Sequence, residues 1–397
     1  MNFLFVSPHF PTNFYHFCVA LKENGVNVLG VGDTAYDNLS NELKGALTEY
    51  YKVNSLENYD EVYRAVAFFC HKYGKMDWIE SNNEYWLLQD AKLRTDFNVT
   101  SGVRNDQIDF IKYKSEMKKL YALANVKAAR YHIVDNYENT LKFIEEVGYP
   151  VIVKPDNGVG ASNTFKIKNI DDLNKLFSEP MQTQIIMEEF INGELVSYDG
   201  IADANREVIF ETSHYFPSPV MNIVNERRDC NYWSVKEIPA DLKAAGRATV
   251  KAFPTNSRCF HLEFFRLLED KKGLGNKGDI LGLEVNMRTP GGFTPDMMNF
   301  GSDVDMYRIY ADMIAYGKPQ NPINDKKYYV AFASRRDEHV YKTTIDDVKA
   351  RYADKIVLSG RNAPAIAVAM GNDFVIARFE DFAEIAEFLD MMNEDYK

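Results

Sequence analysis

A chain of 397 residues with 46% apolar side chains has the length of two or three domains and enough apolar material for a sizeable core. Lys and Arg number 46 against 58 Asp and Glu, a formal charge of -12, and the basic residues are scattered, which argues against the concentrated basic surface a nucleic-acid partner needs. No apolar run approaches the roughly 18 residues of a membrane span, so no membrane partner is expected.

The four cysteines, Cys18, Cys70, Cys230 and Cys259, lie far apart and form no Cys-x-x-Cys pair. That spacing suggests neither a zinc site nor a disulfide framework and fits free thiols in a reducing cytosol. The opening Met1-Asn2-Phe3-Leu4 has no basic region and no small-residue cleavage site, so export is not expected and the predicted location is cytoplasmic.

The first hundred residues alternate between strand and helix. Phe3 to Val6 reads as a strand, Phe14 to Glu23 as a helix and Val26 to Val31 as a strand, followed by a helix at Tyr59 to Tyr73, a strand at Trp78-Ile79 and a helix across Glu84 to Thr95. This order predicts a parallel sheet covered by helices, in a first domain over residues 1–102.

The next stretch is α+β. A helix is predicted at Lys114 to Ala124, a strand at Ala129 to Val134, a helix at Tyr137 to Val147 and a strand at Pro150 to Lys154. Thr164 to Lys168 and Gln184 to Glu189 read as strands around a helix at Ile170 to Ser178. Longer strands follow Gly193, with a helix at Ala240 to Ala252, the strand pair Cys259 to Leu267 and Ile280 to Arg288, and a closing helix at Val304 to Tyr316. Gly317 to Asn324, rich in Pro and Asn, reads as a linker to a small C-terminal unit. The second domain is set at 103–320, with a lid subdomain at about 128–190, and the C-terminal α+β unit at 321–397.

Leu281 to Arg288 carries the strongest chemical signal. Strand alternation puts Leu281, Leu283, Val285 and Met287 on one face, the core, and Glu284, Asn286 and Arg288 on the other. A carboxylate and an amide oxygen two residues apart suit a hard cation, and a guanidinium beyond them can grip a phosphate or carboxylate. An ordinary half-exposed strand has the same alternation. If the strand containing His261 and Glu263 pairs with this one in a hairpin centred near Gly273-Leu274, Glu263 falls opposite Glu284. Two facing carboxylates repel unless a cation lies between them. His261 shares the face of Glu263, where a structural hydrogen bond is its commoner role.

A second signal is the strand ending in Lys154 and running into Gly158, Gly160, Ala161 and Ser162. Bare backbone N–H groups there can approach an anion while the lysine adds a point charge. The segment is neither a Walker A loop nor a dinucleotide fingerprint, and a plain hairpin turn also uses such glycines.

Lys114 in Tyr-Lys-Ser, Lys154 with its glycine loop, Met187 to Glu194 (Met-Glu-Glu-Phe-Ile-Asn-Gly-Glu), Glu263, and Glu284-Val285-Asn286-Met287-Arg288 together resemble the ATP-grasp superfamily in order and spacing, over roughly residues 1 to 320. The biotin carboxylase, carbamoyl phosphate synthase and amino acid ligase branches are closest in pattern. The resemblance implies an ATP-grasp fold preceded by a Rossmann-like α/β domain. It implies that Lys114 and Lys154 contact the ATP phosphates, that Gly158, Gly160, Ala161 and Ser162 form a lid, and that Glu188, Glu189, Phe190 and Ile191 form the hinge reading the adenine edge. Glu194 would take the ribose hydroxyls, and Leu283 joins the nucleotide contacts. Glu263, Glu284 and Asn286 would share two magnesium ions, with manganese as an alternative, and Arg288 would stabilise the reacting phosphoryl group.

Blander readings stand beside these. Lys114 and Glu194 also read as solvated surface charges, Glu189 reads as one, and Phe190 and Ile191 as core. Arg227 or Arg228 and the loop glycines Gly291 and Gly292 are candidates for holding the substrate acid; a turn that merely redirects the chain explains the glycines equally well. Arg335-Arg336 reads as a surface pair, with a reach back to the substrate as the alternative. No biotin-attachment Ala-Met-Lys-Met and no amidotransferase-like region occurs. The implied activity is therefore an ADP-forming ligase that activates a small carboxylate, such as an amino acid, and joins it to an amine. A small-molecule kinase and a non-catalytic ATP-binding module on the same scaffold remain alternatives. Dimers are common in the resembling families, but no interface is legible here.

Overall fold

The computed structural model describes every residue except 159–163, 179, 219, 324–326 and 395–397. The first sheet is parallel, in the order β3-β2-β1-β4, with β1 at Asn2–Val6, β2 at Asn27–Gly32, β3 at Glu49–Lys52 and β4 at Trp78–Glu80. Both faces are apolar, as helix-covered parallel strands require. Phe3 and Phe5 pack on Phe17 and Leu21 of the helix Tyr15–Glu23, while Leu4 and Val6 meet Val62, Val66 and Phe69 of the helix Tyr59–Tyr73. Each fully buried side chain of this size contributes about 1.5–3 kcal/mol.

The helix predicted at Val304 to Tyr316 begins at Met306, where the Asp305 side chain accepts from Arg308 N at 3.1 Å, and ends at Gly317 in a left-handed turn (φ 76°). Its Met306, Tyr310 and Met313 join the core of the first sheet, so it binds that sheet to the rest of the chain.

The second sheet is antiparallel, in the order β5-β8-β6-β7, with β5 at Tyr131–Ile133, β6 at Val151–Pro155, β7 at Phe165–Ile167 and β8 at Ile185–Glu189. Helices Tyr137–Val147 and Ile170–Ser178 cover one face, onto which Val151, Val153 and Met187 point. Alternation sends Ile152, Lys154 and Glu188 to the other face.

The third sheet has nine strands: β9 (Gly193–Ala202), β10 (Val208–Thr212), β11 (His214–Phe216), β12 (Asn231–Ser234), β13 (Arg258–Leu267), β14 (Ile280–Asn286), β15 (Tyr329–Arg335), β16 (Ile356–Arg361) and β17 (Asp373–Phe379). They run β14-β13-β9-β11-β12-β15-β17-β16, with β10 beside β9. The strands of the C-terminal unit are thus continuous with the central sheet through the β12–β15 pair. Helices Lys114–Leu123 and Ala240–Ala252 pack on one face of this sheet.

Arg335 and Arg336, read from sequence as a surface pair, are buried (6% and 2% exposed). Arg335 donates to Met391 O, Met392 O and Thr343 O, and Arg336 to Ala367 O, Val368 O and Arg228 O. They satisfy carbonyls at the ends of two helices, a demand that local sequence does not display. Among the described residues no helix is long and apolar enough to cross a membrane.

Candidate functional site

The two lysines singled out by sequence are brought together by a buried aspartate. The helix Lys114–Leu123 has no side-chain cap from Tyr113; instead Asp156, just past β6 and fully buried, accepts from Ser115 N at 2.8 Å and Ser115 Oγ at 2.6 Å. Its own carbonyl accepts from Lys114 N at 2.9 Å, and Gln184 Nε2 donates to the carboxylate at 2.7 Å. An acid at a helix start satisfies free N–H groups and favours the dipole. The result fixes the root of Lys114 beside the loop that follows Lys154, and Lys114 Nζ donates to Gly158 O at 3.0 Å.

Between the second and third sheets lies a cleft of about 470 Å³. Lys114, Lys154, Glu188, Glu263 and Glu284 border it, together with Ile152, Phe190, Ile191, Leu281 and Leu283. One part is charged and the other apolar.

The hairpin of β13 and β14 has the register expected from sequence: Glu263 stands opposite Glu284, and His261 opposite Asn286. The alternation assigned to β14 needs correction. Glu263 pairs with Glu284 but Phe264 pairs with Gly282, so Leu283 is an extra residue in a bulge. Val285 and Met287 pack against the helices as expected, whereas Leu281 and Leu283 border the cleft. By shifting the phase once, the bulge puts two leucines and the Glu284, Asn286, Arg288 row on the same side of the sheet. On the helix side Gly282 makes room for Tyr121, since an added Cβ would lie 2.3 Å from its ring.

The charges in the cleft form short pairs. Glu284 Oε1 lies 2.9 Å from Lys114 Nζ. Glu188 lies between two ammonium groups, with Lys154 Nζ 2.6 Å from one oxygen and Lys118 Nζ 2.5 Å from the other. Burial would raise the pKa of Glu188, but the two lysines outweigh it and hold the carboxyl at about 2. Burial likewise opposes the charge on Lys154, yet Glu188 and Glu284 keep its pKa above the ordinary value. For Lys118 burial wins over the pull of Glu188, and its pKa is lowered.

His261 takes the structural role expected for it. Its Nε2 lies 3.2 Å from Glu263 Oε1 and its Nδ1 2.5 Å from Asp199 Oδ1, while Asp199 Oδ2 reaches His214 Nδ1 at 2.7 Å. Burial disfavours the imidazolium, but Asp199 and then Glu263 raise the His261 pKa to about 9. Asn286 Oδ1 accepts from Arg288 Nη2 at 3.3 Å; Arg288 also donates to Thr289 O and lies 3.5 Å from Glu84 Oε2 of the first domain.

The remaining readings fare differently. Glu189, read as a surface charge, is 2% exposed, with its carboxylate gripped by Arg130 at 2.8 and 3.1 Å. Lys114 is likewise buried. Glu194 is half-buried and accepts from Tyr215 Oη at 3.0 Å without bordering the cleft. Arg227 is exposed and pairs with Glu338 at 2.6 Å, and Arg228 pairs with Glu226. Gly292 adopts φ +61°, where an added Cβ would lie 2.8 Å from Met370 Cε, and Gly291 faces open space. Gly160, Ala161 and Ser162 lie outside the described residues. Sequence reading missed Lys118, Asp156, Asp199, His214 and Glu84; Lys118, four residues after Lys114 on a helix, was the one with a readable spacing.

Comparisons with known proteins give the following similarities. Residues 112–218 match the family described as phosphoribosylglycinamide synthetase, ATP-grasp (A) domain. The L-arginine-specific L-amino acid ligase of Bacillus subtilis is 23% identical over 272 residues, 66% of this chain; the match spans 63% of that relative, just under two thirds of its length. Among solved structures, the L-amino acid ligase from Bacillus licheniformis superposes with a TM-score of 0.73 at 14% identity, covering 100% of this chain and 98% of that one. Phosphoribosylglycinamide synthetase from Anaerococcus prevotii gives 0.68 at 16% identity, covering 98% and 97%. Residues 112–218 thus match an ATP-grasp domain, and the whole chain shares the multidomain fold of these solved ligases.

Proposed function

We propose that this protein is an ADP-forming ligase that activates a small carboxylate, an amino acid in the first instance, as an acyl phosphate and joins it to an amine. The observation that carries the reading is the two-part cleft, in which the apolar Ile152, Phe190, Ile191, Leu281 and Leu283 adjoin Lys114, Lys154, Glu188, Glu263 and Glu284. A purine needs the first set and a polyphosphate the second. Similarity to two L-amino acid ligases points the same way for the substrate class.

In this reading Lys114 and Lys154 bind the ATP phosphates, the backbone of Glu188 to Ile191 meets the adenine edge, and Arg288 stabilises charge on the transferring phosphoryl group. Residues 103–320 form the ATP-grasp unit after a first domain at 1–102, and the sheet-and-helix lid at about 128–190 closes over the nucleotide. Glu194 is proposed for the ribose. The reading does not draw on Arg227, Arg228, Gly291 or Gly292.

Glu263 and Glu284 face each other across a strand pair, and each is countered by a cationic side chain, His261 or Lys114. Among the described residues no three His, Cys, Asp or Glu side chains cluster to hold a metal ion. The set is two carboxylates and the Asn286 amide oxygen, oxygen donors that suit magnesium when phosphate oxygens complete its shell. These three residues would hold the ions, which when bound supply charge neutralisation to the phosphoryl group.

The substrate carboxylate would attack the γ-phosphorus and ADP would leave; the amine nitrogen would then attack the acyl carbon and phosphate would leave. Positioning and charge neutralisation are the protein's contribution, so no protein nucleophile is needed. A cytoplasmic setting accords with this chemistry and with the four free cysteines. The test is ADP release with magnesium and ATP against an amino acid panel, singly and in pairs, with products followed by mass. Release that needs an acid plus an amine, with a condensed product, supports the ligase. A stable phosphorylated product without any amine overturns it in favour of a kinase.

A further inference from the structure

Glu188 is a buried carboxylate with a lysine on each oxygen, and the two lysines are not equivalent. Lys154 borders the cleft. Lys118 does not; it borders a neighbouring pocket of about 370 Å³, lined also by Asn125, Lys127 and Arg130. Its side chain is 5% exposed, and its ion-pair partner among the described residues is Glu188.

If Lys154 is to meet phosphate oxygens, its charge is drawn away from Glu188 toward them. A carboxylate this deeply buried cannot be left without a countercharge, because its desolvation would then stand uncompensated. Lys118 sits on the other oxygen of the carboxylate and does not border the cleft. We propose that Lys118 is a positioning residue that carries the charge of Glu188 when Lys154 turns to the phosphates of bound nucleotide, so that ATP enters without stranding a buried anion. This rests on the reading of the cleft as an ATP site. The low pKa of Glu188, set against its burial by both lysines, accords with a group that stays ionised throughout.

The arrangement also accounts for two lysines one helical turn apart, Lys114 and Lys118, both buried on the same helix. Residues i and i+4 lie on one face, so a single helix supplies one cation to the Glu284 side of the cleft and one to the Glu188 side. Without Lys118, Glu188 would hold Lys154 as its sole countercharge and phosphate would have to compete for it.

The experiment is calorimetric titration of the full-length protein with ATP and with AMP in magnesium chloride. In Lys118→Met we expect ATP affinity to fall about 10- to 100-fold, the equivalent of one charge-assisted hydrogen bond, with AMP affected far less because it brings no β- or γ-phosphate to recruit Lys154. Lys118→Arg should bind ATP nearly as the native protein does. Adding Glu188→Gln to Lys118→Met should recover ATP binding, since a neutral amide needs no countercharge and frees Lys154. Thermal unfolding of each variant separates this from loss of fold. Should Lys118→Met not fold, the comparison of Glu188→Gln with the double variant decides, and equal ATP affinities are expected.

Undiminished ATP binding by Lys118→Met, or a double variant weaker than Glu188→Gln alone, overturns the inference while leaving the ATP site in place. A native protein that binds neither nucleotide overturns the proposed function, and this inference with it.

Discussion

Two buried ion clusters of similar make-up sit in different parts of the molecule and differ in how their cations are used. At the seam between the first sheet and β13, Glu80 takes Arg94 at 2.9 Å and Arg258 at 2.7 Å on one oxygen, and Ser81 N and Asn82 N on the other. Arg94 also donates to Ile79 O and Val103 O, and Arg258 to Met287 O. These guanidinium groups are tied to the backbone of both domains. In the cleft, the lysines contact carboxylates almost alone, Lys114 to Gly158 O being the backbone contact. Backbone-anchored cations cannot be lent to a ligand; carboxylate-paired ones can exchange their partner for phosphate. The first cluster should therefore report on stability and the second on activity.

The largest expected effect tests the seam. Arg258→Met leaves Glu80 buried with one guanidinium and cuts the tie to Met287 O, and removing one member of such a pair costs about 3–5 kcal/mol. Chemical denaturation should show that loss, and adding Glu80→Gln should return part of it, since the two positions interact directly. A loss confined to activity, with stability unchanged, would break the distinction drawn here.

In the cleft the expected loss is catalytic. Glu284→Ala and Arg288→Ala should each lower ADP release about 10² to 10³-fold, as loss of one preorganised electrostatic group does, with the unfolding midpoint little changed. Near-native turnover in either would sink the site assignment. A smaller effect is expected one shell out. His261→Asn removes the imidazole that orients Glu263 and links it to Asp199, and should raise the magnesium concentration needed for half-maximal ATP binding about 10- to 100-fold. An unchanged magnesium dependence would make His261 a packing residue only.

What sequence revealed about these clusters follows from how local each signal is. The Glu263–Glu284 pairing was legible because a hairpin has one register once its loop centre is known, and Gly273-Leu274 marks it. The bulge at Leu283 was not, because an extra residue inside an alternating run changes the facing of its neighbours without changing the run itself. Lys118 reads as one more polar position on an amphipathic helix, and only the distant strand β8 turns it into a partner for Glu188. Arg335 and Arg336 read as surface because charge is usually solvated, whereas folding supplies each with acceptors from far along the chain. The helix and strand order was legible because period and punctuation are local.

The smallest expected effect again separates the two clusters, this time by pH. Asp90 is fully buried beside Glu80, accepting from Ser81 N at 3.0 Å and Ser81 Oγ at 2.5 Å. Burial first, then Glu80, pushes its pKa up to about 7, against the pull of Arg94. The folded value lies above the unfolded one near about 3.9, so the folded state takes up the proton. Stability from this group is therefore complete below the unfolded pKa and is lost as pH rises through 7. Asp90→Asn keeps a side-chain oxygen for Ser81 without the titration. Denaturation midpoints should fall more steeply from pH 5 to pH 8 in the native protein than in Asp90→Asn, and equal slopes would remove Asp90 as the cause. ATP affinity should not share that slope on account of Glu188, which at about 2 stays ionised across the whole interval.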